Sequence, residues 1–559
     1  MIKQIFFERG LRRLLLCVLS VLCWQGYAAQ YITNPDSHGI KFKFDQDPTT
    51  YKASITGWEV SEKFDGILEI PASVKGTTLG YNITVDRITA SEMTLEIRPN
   101  IGIKKITFAS GSQAIMADNC FAGETLLEQV DLTNYAGSSI PKECFKNAGV
   151  LMNVIYSPKI TSIGEAAFAG GSSFRMIDLS TTNIESIGDK AFEGCTSLET
   201  LKLPATLKTL GVLSFSGCPV LESVDFSQTQ LTTIPSQCFR YCYKISEVKF
   251  NEKITSIEGS AFNYCLELSS IEFPASLTNI GNTVFQDCWK LDVVRFKGTV
   301  PPTITNDAFS KTKAIPTFYV PTDCGKKYRV AMNVGAKAKV GQSNTILASA
   351  CVREELKMSK YGFISYYLDT ESFVVPSGAT AYVITGQTRK NGERYAVKTV
   401  YSANEAVPAK TGFVLQATAN ATIAYEVDTL ESAVKLIGGT SLMKGTATDN
   451  TFSGEDGKYF VLSPNTDGST GVGFYFQKGT NGAKMTLKPH QAGLFIPKGM
   501  EASAKVFTFD ENPATGIKEI EQPTTNNADD TVIYDLQGRR VVNPAKGIYI
   551  VNGKKVMFN

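Results

Sequence analysis

Nine phenylalanines stand at near-constant spacing: Phe121, Phe145, Phe168, Phe192, Phe215, Phe239, Phe262, Phe285 and Phe309, with gaps of 24, 23, 24, 23, 24, 23, 23 and 24 residues. A fixed period in this range means one small unit copied and stacked into a solenoid. Such a fold offers a long regular surface rather than one deep cleft. The expectation therefore moves from catalysis toward binding.

Between the phenylalanines the same apolar positions return. One unit supplies Leu198, Leu201, Leu203, Leu207, Leu210 and Phe215, and a later one Ile245, Val248, Phe250, Ile254, Ile257 and Phe262. Leu201-Lys202-Leu203 has the two-residue period of a short strand, and Pro204 turns the chain. The second apolar pair predicts an irregular or strand-like return. The step at Phe predicts a short helical or tight-turn segment. No unit buries its own apolar side, but stacked units bury each other's, at roughly 1.5–3 kcal/mol per large side chain. At about 4.8 Å per strand, nine coils extend roughly 40 Å.

The pattern resembles the leucine-rich repeats of the BspA-like, or Treponema pallidum-type, bacterial surface proteins. The likeness is carried by Ile163-Gly164-Glu165-Ala166-Ala167-Phe168, Ile187-Gly188-Asp189-Lys190-Ala191-Phe192, Leu203-Pro204 and Phe273-Pro274, and it spans about residues 65–330. The resemblance implies a right-handed solenoid with one parallel sheet, and adhesion to host extracellular or bacterial surface proteins.

The remaining chain divides by composition. Lys3, Arg9, Arg12 and Arg13, the apolar run Leu14–Trp24 and a small-residue site at Ala28 or Ala29 read as a secretory signal peptide. The run has 11 residues, too short for a span, which takes about 20. The expected order is a signal peptide over 1–29, a β-rich cap and diverged first repeat over 30–100, and the solenoid with its C-terminal cap over 101–345. An all-β, sandwich-like module over 346–511 follows, because short apolar stretches such as Gly412-Phe413-Val414-Leu415 alternate with Gly, Pro, Asn and Thr. A polar linker over 512–530 leads to a small β domain over 531–559, where Asn552-Gly553 between alternating runs signals a hairpin. This tail resembles the C-terminal sorting domains of exported Bacteroidetes proteins that use type IX secretion, on Tyr534-Asp535-Leu536-Gln537-Gly538-Arg539 and Gly547-Ile548-Tyr549. The fold class is thus mainly β with short helical turns.

Five cysteines, Cys195, Cys218, Cys242, Cys265 and Cys288, share one repeat position, held by Glu124, Ala148 and Gly171 in earlier units. A slot that takes Ala, Gly or Cys is a packing slot, where a free thiol acts as a small hydrophobe. Cross-coil disulfides are the alternative, with Cys120 and Cys144 as the pair to test.

Little in the chain points to chemistry. Its two histidines, His38 and His490, lie in different predicted domains, so a catalytic triad or a His-rich metal site is hard to assemble. No nucleotide or zinc-protease motif is present. A net charge of +2, from 56 basic and 54 acidic residues, gives no electrostatic case for nucleic acid or an anionic membrane. The expectation is a secreted surface protein without enzyme activity, cofactor, metal or, after signal cleavage, membrane span. Its binding strip is the row between the two strand apolars: Asp131, Asp178, Lys202, Asp225, Lys249, Glu272 and Arg295, with Ile155 in the same column. The strip reads as polar and of mixed charge, and it lacks an aromatic stripe that would stack on sugar rings, which favours a protein partner over a glycan. Glycan binding by the 346–511 module and a purely structural envelope role are the alternatives. Tyr241, Tyr243, Tyr264 and Trp289 gather near the Cys turn and read equally as an edge patch or as coil packing.

Overall fold

The computed structural model describes residues 30–32, 36, 38–46, 50, 52–75, 83–89, 102–305, 307–332, 350–390, 393–426, 440–455, 457–464, 472–475, 477, 480–498 and 500, and several short strands beyond 505. The signal segment 1–29 lies outside the described residues. The chain forms two compact units, Met1–Glu355 and Leu356–Asn559.

The first unit is the solenoid. Each coil opens with a strand of three or four residues, such as Gln129–Asp131, Met176–Asp178, Thr200–Lys202 and Glu247–Lys249. The middle residue points inward, so Val130, Ile177, Leu201 and Val248 are buried while the flanking residues face out. Neighbouring strands pair in parallel and in register, Met176 beside Thr200 and Asp178 beside Lys202.

The second apolar pair makes a ladder of its own. Ser139–Ile140, Ser162–Ile163, Ser186–Ile187 and Thr209–Leu210 pair in parallel one after another, and Thr233–Ile234 through Thr303–Ile304 continue the pattern. The solenoid therefore has two parallel sheets where the resemblance implied one. The cause is local. The inward residue of the pair is mostly the β-branched Ile, which suits extended backbone, and stacking places that dipeptide one strand spacing from its copy.

The third side is the phenylalanine turn, with no helix in it. The residues two before and two after each phenylalanine from Phe121 to Phe285 are left-handed: Ala166 and Gly170 around Phe168, Lys190 and Gly194 around Phe192. In coils 1 to 7 the N–H groups of these two residues and of the phenylalanine all donate to carbonyls of the next coil; Lys190, Phe192 and Gly194, for instance, donate to Val212, Ser214 and Ser216. Turn bonds within the coil take the intervening N–H groups, as from Glu193 to the Lys190 carbonyl. The rings form one stack from Phe121 to Phe309, with centroids 5.2–5.8 Å apart and planes within 14° of parallel. Offset stacking of this kind adds about 0.5–1.5 kcal/mol per pair to area burial.

None of the described cysteines is bridged, Cys120 and Cys144 included. In the column, each thiol is buried and directed at the phenylalanine carbonyl of the preceding coil: Cys242 to Phe215 at 3.2 Å, Cys265 to Phe239 at 3.6 Å and Cys288 to Phe262 at 3.2 Å. The column is core filling with a weak hydrogen bond.

Both ends are covered. In the cap, Ile40–Gln46 pairs antiparallel with Ala53–Val60, burying Ile40, Phe42 and Phe44. The cap also starts both ladders, through Ile83–Ile88 beside Ile115–Met116 and through Ile67–Ile70 beside Lys105–Phe108. At the other end, Thr317–Val320 continues the first ladder and pairs with Cys351–Lys357. The one helix among the described residues, Gly325–Ala331, closes the stack. The buried Glu354 carboxylate accepts the N–H groups of Asp323, Cys324 and Gly325 at 2.9, 3.0 and 2.9 Å, satisfying donors that a helix start leaves unpaired.

Among its described residues, the regular elements of the second unit are all strands. Thr380–Lys390 and Glu393–Tyr401 form its longest antiparallel pair within a ten-stranded sheet. One core gathers Tyr366, Phe373, Val383, Phe413, Leu415 and Tyr425, and another Tyr382, Val414, Phe460, Phe474, Leu494 and Ile496. Ile517–Ile520, inside the stretch expected to be a linker, pairs with Val506–Phe509 and joins that sheet. The polar residues around it conceal a four-residue strand. A separate four-stranded sheet holds Ile533–Tyr534, Arg540–Val541, Gly547–Val551 and Lys554–Phe558, with Val551 opposite Lys554. Asn552 and Gly553 lie outside the described residues.

Candidate recognition surface

The outward residues of the first ladder form the face on which the sequence places its binding strip. Register sets Asp131 beside Ile155, Asp178 beside Lys202, Asp225 beside Lys249, and Glu272 beside Arg295. The row is therefore real. Its charges are largely committed within the molecule.

The three aspartates shape turns. Asp131, Asp178 and Asp225 each accept the N–H of the residue two positions on, Thr133, Ser180 and Ser227, at 3.0, 3.0 and 2.8 Å. An Asx turn of this kind is the substitute for proline at the end of the strand. The signal was in the sequence as Asp-Leu-Thr, Asp-Leu-Ser and Asp-Phe-Ser, standing where Leu203-Pro204 and Phe273-Pro274 stand in other coils.

The remaining members pair across or along the coils. Lys202 Nζ lies 2.8 Å from Asp178 Oδ2. Hydrogen bonds from Lys202 and then Ser180 pull the Asp178 carboxyl down to about 2. Lys249 meets Glu247 at 3.1 Å, and Glu272 meets Lys297 at 2.8 Å. Arg295 pairs with Glu355, and its guanidinium lies 4.3 Å from the Tyr319 ring centre. Exposed pairs of this kind contribute at most about 1 kcal/mol each. They leave the C-terminal half of the strip with few uncommitted charges.

The N-terminal half is different, and the sequence reading of a polar strip does not describe it. Met152 is 57% exposed, Met176 53% and Ile155 40%. Ile155 and Met176 hold outward strand positions in adjacent coils. Leu126 and Val150 are exposed at equivalent places, five residues past Phe121 and Phe145. Exposed apolar side chains therefore recur on this face in coils 1 to 3, with Asp178, Lys202 and the Arg175–Glu199 pair following in coils 3 and 4. Each residue alone passes for an ordinary surface hydrophobe. Stacking collects them.

Each histidine has a polar partner within its own unit. His38 Nδ1 lies 2.8 Å from Asp65 Oδ2, and that bond, opposed by burial, raises its pKa. His490 Nδ1 lies 3.3 Å from the Tyr367 carbonyl. Among the described residues no group of three or more His, Cys, Asp or Glu could hold a metal ion. No helix among them is long and apolar enough to cross a membrane. The second unit carries an open cleft of about 410 Å³ lined by Lys360, Tyr361, Tyr366, His490 and Gln491 among others.

Residues 99–222, 173–292 and 214–329 match the BspA type leucine rich repeat region, in six copies. No curated protein matches the chain. Solved structures that it resembles include a leucine rich cell surface protein from Faecalibacterium prausnitzii, at 19% identity over 53% of this chain and 72% of that one, with a TM-score of 0.29. A leucine-rich repeat protein from Bacteroides ovatus matches at 17% identity over 56% and 99%, with a TM-score of 0.25. The leucine rich repeat protein of T. pallidum matches at 19% identity over 42% and 90%, with a TM-score of 0.30.

Proposed function

From the BspA-type leucine-rich repeats of residues 99–329, we propose that this chain is an exported surface protein that recognises other proteins through the strand face of its solenoid. The observation that carries the reading is the apolar run Met152, Ile155 and Met176 on a rigid face, flanked by charge pairs. A protein interface has this anatomy, an apolar centre inside a polar rim. Monomeric proteins keep contiguous exposed apolar area small unless it is used.

The mechanism is multi-point binding, without a catalytic step or a cofactor. The partner is a host extracellular or bacterial surface protein with an apolar patch of its own. Export rests on the signal-like N-terminus, and retention at the surface on the sorting-like tail. Type IX secretion in a Bacteroidetes host is the route that tail suggests.

The test is capture of partners by the full chain from host and bacterial surface extracts, against a variant with Met152, Ile155 and Met176 all changed to Ser. The variant folds, because all three side chains face solvent, and it loses the captured partner. Equal capture by both chains would sink the reading.

A further inference from the structure

The turn edge of coils 6 to 8 departs from that of the earlier coils. The residue two past the stacked phenylalanine is left-handed throughout, and in coils 1 to 5 it is Gly123, Asn147, Gly170, Gly194 and Gly217. Coils 6, 7 and 8 put Tyr241, Tyr264 and Asp287 there, at φ of 62, 63 and 61°. A side chain costs about 1–2 kcal/mol of backbone strain there, a cost every coil from Phe121 to Phe285 already bears two residues before its phenylalanine. Two positions further on, earlier coils carry Thr125, Gly149, Ser172, Thr196 and Pro219, whereas coil 6 carries Tyr243 and coil 8 Trp289.

These side chains form one surface. Tyr241 lies 5.2 Å from Tyr264 and 6.3 Å from Tyr243, ring centre to ring centre. The Arg240 guanidinium lies 4.4 Å from the Tyr241 ring centre and donates to the Tyr241 hydroxyl at 2.6 Å. Trp289 is 61% exposed and Tyr243 41%, which rules out coil packing as their main role. They occupy the same position two coils apart, a separation of about 10 Å. That is the length of a two-sugar unit in an extended chain.

Polar groups stand at the same edge. Asp287 is 7% exposed, and its Oδ2 has no hydrogen-bond partner. Ser310 Oγ and Arg240 Nε also lack one. The Asp287 charge is the main cause that holds the Tyr264 phenol above its ordinary range, and Arg240 opposes it, so both lie beside that ring. Buried polar atoms without partners cost about 1–3 kcal/mol each. These three atoms are buried beneath the edge, so a ligand hydroxyl meets instead the part-exposed Arg240 guanidinium and the tyrosine hydroxyls above them.

We propose that Tyr243 and Trp289, with Tyr264 between them and Arg240 and Asp287 in the flanking coils, form a saccharide-binding platform on the turn edge of coils 6 to 8. Ring faces take the C–H faces of alternate sugars, and the polar groups take their hydroxyls. A cationic peptide is the weaker fit, because Lys244 and Lys290 directly follow Tyr243 and Trp289 and Lys290 already holds Glu267 at 2.5 Å. The platform is independent of the protein-binding strand face.

The test is gel electrophoresis of the full chain through soluble mannan, xylan, hydroxyethyl cellulose or mucin, with tryptophan emission recorded in parallel. At least one of these polymers retards the chain. Trp289→Ala and Tyr243→Ala each weaken the retardation about tenfold, and together they abolish it, whereas Met176→Ser leaves it intact. Trp289→Phe keeps the retardation and loses the emission shift. Mucin alone as the retarding polymer assigns a host-type glycan, and a plant or microbial polymer assigns the other source. The proposal is overturned if no polymer retards the chain, if the double variant is retarded like the parent, or if the double substitution removes only protein capture.

Discussion

Trp58 lies over Phe121, with ring centres 5.9 Å apart and planes 29° from parallel. The cap thus meets the phenylalanine stack ring on ring and shields its first member from water. Trp58→Ala should cost about 2 kcal/mol, less than a fully buried tryptophan because Trp58 is only partly buried. In a solenoid each coil leans on its neighbours, so the loss should be local. Hydrogen exchange should quicken in coils 1 and 2 and stay slow in coils 6 to 8. Uniform acceleration along the solenoid would contradict this.

Two glycines separate conformational strain from crowding. Gly194 has φ of 72° and open space around a Cβ, with its nearest atom 3.9 Å away, so Gly194→Ala should cost about 1 kcal/mol from backbone strain alone. A Cβ on Gly211 would meet Asp189 N at 2.2 Å and Gly188 C at 2.3 Å. The second ladder runs too close there for any side chain. Gly211→Ala should therefore be the more damaging, by at least about 1 kcal/mol in chemical denaturation, although its φ is not left-handed.

The Asp178–Lys202 pair gives a pH signature of known sign. The folded carboxyl titrates at about 2, below its unfolded value of about 3.9. Its stabilisation is full above the unfolded value and is lost as pH falls from about 4 through 2. The aspartate is one-third exposed, so screening holds the effect to under about 1 kcal/mol. Lys202→Met should raise the Asp178 titration midpoint in a carboxyl NMR experiment. An unmoved midpoint would mean that the pair is not formed in solution.

Buried thiols should be silent. Desolvation pushes Cys238 and Cys288 up to about 12 and Cys265 well above its ordinary value. A thiol reagent at pH 8 should label them only as fast as the coils open, and fully in denaturant. Cys265→Ala should fold with a loss of under about 1.5 kcal/mol, whereas Cys265→Leu should cost more because the slot has no room. Rapid native labelling would show that the column is open.

Glu354 serves the C-terminal cap as Trp58 serves the other end. Its carboxylate takes three backbone donors at once. Glu354→Ala should cost about 3 kcal/mol and fray Gly325–Ala331, read as lost protection in that helix. Glu354→Gln should recover part of this.

Much of the architecture was legible because a repeat writes each position nine times. The phenylalanines, the inward strand residues and the cysteine slot were all visible this way. The second ladder was harder, since a Ser-Ile pair is too short to show a period. Ile517–Ile520 escaped for a similar reason, four residues within a polar stretch. The aspartates of the strip stand where the sequence puts them, but their turn bonds were not legible, because an outward charge and an Asx turn look alike until the next residue but one is considered. Met152, Ile155 and Met176 were unremarkable singly, and only stacking put their coils side by side on one face.

The phenylalanine turns carry one more consequence. Three peptide groups per coil point their N–H toward the C-terminal end and their carbonyls toward the cap, while the strand ladders largely cancel. Each peptide carries about 3.5 D, and here they add. The solenoid is therefore an electric dipole of opposite sense to an α-helix, with its negative pole at the cap beside Trp58 and its positive pole at the end that buries Glu354. A charged molecule nearing this protein at low salt would meet two unlike ends.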